Sequence, residues 1–258
     1  MADLSLSPGS GFEVRSLDDL DTYLGAVASA GFRSVSLGLD QLVGDPAAAA
    51  RLLEVHGLRC PDVLALRVSR HEEEVRVQTE ALAAAAEAVG AEFVLSLIWA
   101  RLGEETIDRF GRCADRVLAS GARLALEMPP IGELNSIGAA MRVVDAVGTK
   151  RAALMVDTFH FCRGTSTWDE LEAVPLDSLG YVQFDDALAP GDDVMDDTLN
   201  RRTMPGDGEF PLERFVSTLR SRGWSGLVSV EVLSADLRQL DIATFARQAY
   251  ETTAPYWS

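Results

Sequence analysis

Lysine is all but missing from this 258-residue chain: Lys150 is the only one, and every other basic side chain is Arg. Basic residues are also outnumbered, 23 Lys and Arg against 40 Asp and Glu, for a formal net charge of -17. Such a surface repels polyphosphates and anionic bilayers, so nucleic-acid and peripheral-membrane partners are not expected. The scarcity of lysine offers no obvious phosphate-binding ammonium and favours an unphosphorylated small-molecule ligand. Cysteine is sparse too. Cys60, Cys113 and Cys162 show no CxxC spacing, which argues for reduced thiols and a cytoplasmic location rather than a disulfide framework. No apolar run approaches the roughly 18 residues of a membrane span. The start, Met1-Ala2-Asp3-Leu4-Ser5, lacks the basic and apolar regions of a signal peptide, so none is expected. Histidine is limited to His56, His71 and His160.

What is present is ordinary for a globular enzyme: 47% apolar and 24% charged residues, in a length close to the roughly 250 of one eight-fold barrel. Short apolar runs alternate with longer amphipathic stretches. Candidate strands fall at 4–6, 34–37, 63–66, 93–97, 123–127, 153–157, 180–184 and 227–231, several after a turn glycine. Candidate helices lie at 17–30, 72–89, 106–120, 137–147, 167–172, 212–222 and 242–252. Ser16 is the expected N-cap of the first helix and Gly90 the expected C-cap of the second. Apolar strands separated by helices predict a parallel sheet covered on its outer face, and eight repeats predict closure into one (β/α)₈ TIM barrel over residues 1–258. An open doubly wound sheet is the competing topology, but no GxGxxG follows the first strand. The segment 187–208 is polar, acidic and irregular, longer than a usual βα connection, and therefore a candidate functional loop. Tyr250, Tyr256 and Trp257 suit either a second subunit or the chain's own barrel, so a homo-oligomer stays open.

In such a barrel the C-terminal strand ends converge on one mouth. Strand five ends at Glu127, strand six at Asp157, strand seven carries Gln183, and strand eight ends at Glu231. An isolated buried charge after an apolar run is costly, whereas a divalent cation neutralises several at once. Three carboxylates and an amide oxygen suit a hard ion, Mg²⁺ or Mn²⁺. Arg67, near the third strand, and Arg101, after the fourth, suit either a surface salt bridge or an anionic substrate group; Trp99 suits either an apolar pocket wall or packing under a loop.

Two segments are more specific: Val156-Asp157-Thr158-Phe159-His160 and Pro205-Gly206-Asp207-Gly208-Glu209-Phe210. With the strand-end acids they make the chain resemble the xylose-isomerase-like barrels, over about residues 90–250 and in rhythm alone before that. That group includes sugar isomerases, ketose 3-epimerases, inosose dehydratases, 3-dehydroshikimate dehydratases and endonuclease IV repair enzymes. The resemblance implies Glu127, Asp157 and Glu231 as metal ligands, with Glu127 and Glu231 also the carboxylates that remove and return protons. It implies His160 as a substrate contact or acid, and Arg202 as a ligand for a substrate oxygen. Gln183 departs from the histidine usual there in isomerases and epimerases, and is similar to the pattern of some 3-dehydroshikimate dehydratases. The repair branch is disfavoured by the three histidines and the acidic charge. The implied function is a metal-dependent sugar or hydroxyketone isomerase or epimerase working through an enediolate. A dehydratase of the 3-dehydroshikimate or inosose type, and a non-catalytic metabolite- or partner-binding barrel, stay open as alternatives.

Overall fold

The computed structural model describes residues 2–258. Among these residues eleven strands and ten α-helices follow one another. The first half contains β1 (Asp3–Leu6), α1 (Leu17–Ala30), β2 (Ser34–Val35), β3 (Leu37–Gly38), α2 (Pro46–His56), β4 (Asp62–Val68), α3 (Glu72–Val89), β5 (Phe93–Ile98), α4 (Glu104–Leu118) and β6 (Arg123–Leu126). The second half contains α5 (Ile137–Val147), β7 (Ala152–Asp157), α6 (Thr158–Arg163), α7 (Trp168–Ala173), β8 (Leu179–Phe184), β9 (Asp186–Ala187), α8 (Val194–Asn200), β10 (Arg202–Thr203), α9 (Leu212–Ser221), β11 (Leu227–Val230) and α10 (Ile242–Trp257).

Nine strands form one parallel sheet in the order β2-β1-β11-β8-β7-β6-β5-β4-β3. β2 and β3 are one stave interrupted at Ser36: the first part pairs with β1, the second with β4. The sheet therefore comes round on itself as the eight-stave barrel predicted from the alternation. The interruption is not arbitrary. The Ser36 hydroxyl, fully buried, donates to Asp62 Oδ1 at 2.6 Å and lies 2.9 Å from Ser229 Oγ inside the lumen.

Two apolar layers follow from side-chain alternation along the strands. One face, including Val94, Leu124, Val156 and Val182, joins the helices in the main core. The other face fills the lumen with Phe93, Leu95, Ala125, Met155, Tyr181 and Leu227. Local signals set the helix ends where they were read. Ser16 accepts from Asp19 N, and Gly31 and Gly90 terminate α1 and α3 in the left-handed region, at φ 111° and 69°, which an L-side chain would resist.

Three stretches of the chain hold elements that were not read from the sequence. α2 begins with Pro46 at its first turn, capped by Asp45, but its alanines carry little amphipathic signal. α6 starts directly at the end of β7 with no intervening loop. The segment 187–208, expected to be irregular, contains α8 and an antiparallel pairing of β9 with β10. α10 also runs past its predicted end. Its aromatics pack on their own barrel: Trp257 is buried against Phe184 and Trp224, at ring distances of 5.4 and 5.6 Å. His71 is exposed at the start of α3, and His56 closes α2, 2.8 Å from Asp21. No helix among the described residues is long and apolar enough to cross a membrane.

Candidate active site

The alternation of the strands carries the expected residues to one place. Ala125, Met155, Tyr181 and Leu227 point into the lumen. Residues an even number of positions further on share that face, which takes Glu127, Asp157, Gln183 and Glu231 to the lumen's C-terminal mouth. β7 and β8 place Asp157 directly opposite Gln183. Glu127, Asp157 and Gln183 are buried, and the Glu231 side chain is only 12% exposed.

The Asp157-Thr158-Phe159-His160 segment works as a unit. Asp157 Oδ1 accepts from Phe159 N at 2.6 Å and so caps α6, leaving Oδ2 to the mouth. One helical turn later His160 returns over the same mouth, with Nε2 at 2.6 Å from Glu127 Oε1 and 3.5 Å from Asp157 Oδ2. Thr158 Oγ1 donates to Asp185 Oδ1 at 2.6 Å, and the Phe159 ring lies under the Arg202 guanidinium at 4.8 Å. Ligand atoms of Glu127, Asp157 and His160 lie within 4.8 Å of one another, close enough to share one metal ion. His160, read from the sequence as a substrate contact, thus stands with the two acids as a third donor.

Gln183 and Glu231 form the other half. Gln183 Nε2 donates to Glu231 Oε1 at 3.1 Å, and Ser7 Oγ reaches the same oxygen at 3.2 Å. Because the amide nitrogen is turned to the carboxylate, Gln183 Oε1 is left buried with no partner. Arg202 comes from the end of α8 and β10, is 1% exposed, and sets Nη1 among Asp157 Oδ2, Asp185 Oδ2 and Glu231 Oε2 at 2.8, 2.6 and 3.3 Å. Its Nε is tied to Thr198 O at 3.0 Å. The long acidic insertion therefore delivers the mouth's arginine.

The second motif is explained by Asp186. Its carboxylate accepts from Gly206 N, Gly208 N and Phe210 N at 3.1, 3.1 and 2.9 Å, so the Pro205–Phe210 turn wraps around one buried acid. A Cβ at Gly208 would stand 2.3 Å from Asp186 Oδ1, and Gly206 adopts φ 94°; both glycines are required by that wrap.

The electrostatics are those of a site short of positive charge. Burial, strengthened by Asp157, pushes Asp185 up to about 7, against the pull of Arg202. Burial also pushes Glu231 up to about 8, with Arg202 opposing and Glu127 and Asp157 reinforcing. Burial works against the imidazolium of His160, but Asp157 and Glu127 outweigh it and hold its pKa above the ordinary value. With all four acids ionised, Glu127, Asp157, Asp185 and Glu231 exceed Arg202 and a protonated His160 by two charges, the charge of one divalent cation.

Asp185 was not singled out from the sequence, although two adjacent acids after the apolar run of β8 were its signal. Ser7 gave none, since its role depends on β1 lying beside β11. Deeper in the lumen, Asp62 is fully buried with Oδ2 unpartnered, and the Tyr181 hydroxyl stands near it without hydrogen-bonding geometry. Arg67, Arg101 and Trp99 line the same cavity as Glu127, Glu231, His160 and Arg202, a space of about 1010 Å³.

The sequence pattern of the xylose isomerase-like TIM barrel matches residues 24–252. Inosose isomerase of Halalkalibacterium halodurans is 32% identical over 136 residues, 52% of this chain and 47% of that protein. 3-Dehydroshikimate dehydratase of Pseudomonas aeruginosa is 26% identical over 140 residues, 53% of this chain and 22% of that one. The chain thus spans about half the length of the inosose isomerase it matches. Two solved structures share the fold: the IolI protein with a bound zinc atom, TM-score 0.86 at 21% identity over 100% of this chain and 98% of that one, and L-ribulose 3-epimerase, TM-score 0.80 at 16% identity over 100% and 95%. With nearly the whole chain matched and the barrel closed, the protein belongs to the xylose isomerase-like TIM barrel family.

Proposed function

We propose that this chain is a divalent-metal-dependent enzyme that moves a proton beside the carbonyl of a small hydroxyketone, as an isomerase or epimerase. The observation that carries the reading is the mouth itself: Glu127, Asp157 and His160 converge within 4.8 Å, with the unpartnered Gln183 Oε1 and Glu231 beside them. The donor set fits a hard divalent ion. Carboxylate oxygens and an amide oxygen with a free lone pair suit Mg²⁺ or Mn²⁺, and with His160 protonated, and so outside the ligand set, the charge deficit of two matches.

Glu127, Asp157, Gln183 and Glu231 would hold the ion, with His160 at its edge. When bound, the ion supplies positive charge to the substrate carbonyl and eases loss of the neighbouring proton. The chain's own groups do the rest. Glu231, steadied by Ser7 and Gln183, takes the proton from one side. Glu127, bonded to His160, returns one from the other, and His160 supplies the reservoir proton through its 2.6 Å contact. Arg202 holds the acids in place and offers its charge to a substrate oxygen.

A second reading, dehydration through loss of a β-hydroxyl, uses the same base and is supported by the likeness to 3-dehydroshikimate dehydratase and by Gln183. Proton exchange in D₂O with Mn²⁺ or Mg²⁺, followed by NMR over ketoses, inososes and 3-dehydroshikimate, separates them. Metal-dependent deuterium uptake without mass loss supports isomerisation or epimerisation; water loss supports the lyase. Glu231→Gln is expected to keep its fold by circular dichroism and to lose turnover, and full activity in that variant overturns the reading.

A further inference from the structure

The mouth is unlike a site shaped for a bare sugar. Its cavity of about 1010 Å³ reaches the top of the roughly 300–1,000 Å³ range of drug-sized ligand sites. Glu127, Glu231, His160 and Arg202 make up only part of its lining. The remaining wall is largely apolar, with Leu97, Trp99, Ile131, Met195 and Leu199 among its members. Several are exposed to solvent, Trp99 to 64%. Met195 and Leu199, four residues apart on α8, share the helix face that lines the cavity. Sugar hydroxyls set against such a wall would give up water without replacement partners, a cost that a hydrocarbon body does not incur.

The same wall carries two arginines without acidic partners. Neither the Arg67 nor the Arg101 guanidinium makes an ion pair or a hydrogen bond among the described residues, although acids abound in this chain. Besides Glu127 and Glu231, two further acids share the lining, Asp40 and Glu133; Glu133 is engaged by Leu102 N at 2.7 Å. The Arg67 guanidinium instead lies over the Trp99 ring at 5.7 Å.

The backbone is arranged to present Arg67. β4 pairs Asp62 with Phe93 and Val63 with Val94, then resumes with Leu66 opposite Ser96 and Arg67 opposite Leu97. One extra residue has been inserted, a bulge. Without it Arg67 would stand opposite Ile98, which faces the helix-side core. Because strand side chains alternate with period two, the insertion moves Arg67 to the lumen face beside Leu97.

We infer that the substrate of this site is an anionic hydroxyketone with a hydrocarbon body. Its acid group is held by Arg67 and Arg101, and its body lies against Trp99 and the apolar face of α8. This rests on the reading of the mouth as a proton-moving centre and names the substrate class for it. The acid is a carboxylate or a phosphoryl group, which share the planar or trigonal oxygen display that guanidinium groups recognise.

The test is calorimetric binding of simple probes to the Mg²⁺-loaded protein: 3-phenylpropanoate, its neutral isostere 3-phenylpropanamide, propanoate, D-fructose and phenyl phosphate. An aryl anion is expected to bind at least about tenfold more tightly than the amide, propanoate or fructose, the ratio of one charge-assisted contact. The R67Q/R101Q double variant should lower aryl-anion binding to the level of the amide, and W99A should lower it toward that of propanoate. R51Q, a surface control on α2, should leave it unchanged. Tighter binding of phenyl phosphate than of 3-phenylpropanoate assigns a phosphoryl group, and the reverse a carboxylate. Fructose binding as tightly as the aryl anions, indifference of the aryl anions to R67Q/R101Q, or no binding of any probe overturns the inference. The two readings fail separately. Arginine-dependent probe binding with no metal-dependent proton exchange in any carbonyl compound sinks the proposed function alone. Exchange into free ketoses at an undiminished rate in R67Q/R101Q sinks the substrate class alone.

Discussion

Arg202→Met removes the guanidinium that meets the mouth's acids while keeping most of its apolar stem. Arg202 is 1% exposed and serves Asp157, Asp185 and Glu231 through a single nitrogen. Deleting one partner of a buried ionic cluster leaves uncompensated charge and costs about 3–5 kcal/mol. For a barrel of this size each kcal/mol moves Tm by roughly 2–4 °C, so the variant should melt about 6–20 °C lower in EDTA. The loss has a pH sense. Asp185 and Glu231 already sit at about 7 and about 8, above the 3.8 and 4.5 of free carboxyls, and losing Arg202 pushes both further up. Groups raised in the folded state take protons at low pH, so the penalty is small near pH 5 and grows as pH rises through those values. A divalent ion should offset much of it, since a ligand at 100 times its Kd adds about 2.7 kcal/mol. Differential scanning calorimetry at pH 5 and 8.5, with EDTA or Mn²⁺, reads all three effects. A variant melting within about 2 °C of the parent in EDTA at pH 8.5 would refute the picture of Arg202 as the cation that holds these acids together.

Three further outcomes follow from other parts of the lumen and mouth. Burial raises Asp62 from 3.8 to about 6, with the Ser36 hydroxyl opposing, so the ionised form costs on the order of 3 kcal/mol above pH 6 and nothing below about 4. Asp62→Asn keeps the acceptor for Ser36 and should therefore raise urea-denaturation stability at pH 8 but not at pH 4; equal effects at both would contradict the assignment. Asp186→Ala strips four backbone N–H groups, those of Ala187, Gly206, Gly208 and Phe210, of their acceptor and should cost about 3 kcal/mol or more, a loss under 1 kcal/mol showing that the turn holds itself. Gln183→His places an imidazole opposite Asp157 and should strengthen Zn²⁺ binding at least about tenfold in a chelator competition. Unchanged affinity would remove Gln183 from the ligand set.

The sequence by itself determined the barrel and the four strand-end residues. Both depend on local regularities: apolar runs, turn glycines at 31, 90 and 121, and an acid closing three of the last four staves with Gln183 near the end of the other. Strand alternation is fixed by covalent geometry, so once the strands were read, the common face of Glu127, Asp157, Gln183 and Glu231 followed. Tertiary structure decided the rest, because those contacts join residues whose separation along the chain carries no pattern. His160 meets Glu127 across 33 positions only because Asp157 caps a helix that starts without a loop. Arg202 reaches Asp157 across 45 positions because α8 and the β9–β10 pairing, hidden in a segment that reads as irregular, fold back over the mouth. Asp185 became part of the site by pairing with Thr158 and Arg202, and Arg67 faces the cavity because of one extra residue in β4. A one-residue bulge leaves almost no trace in hydropathy, yet with a side-chain period of two it decides which face a charge occupies.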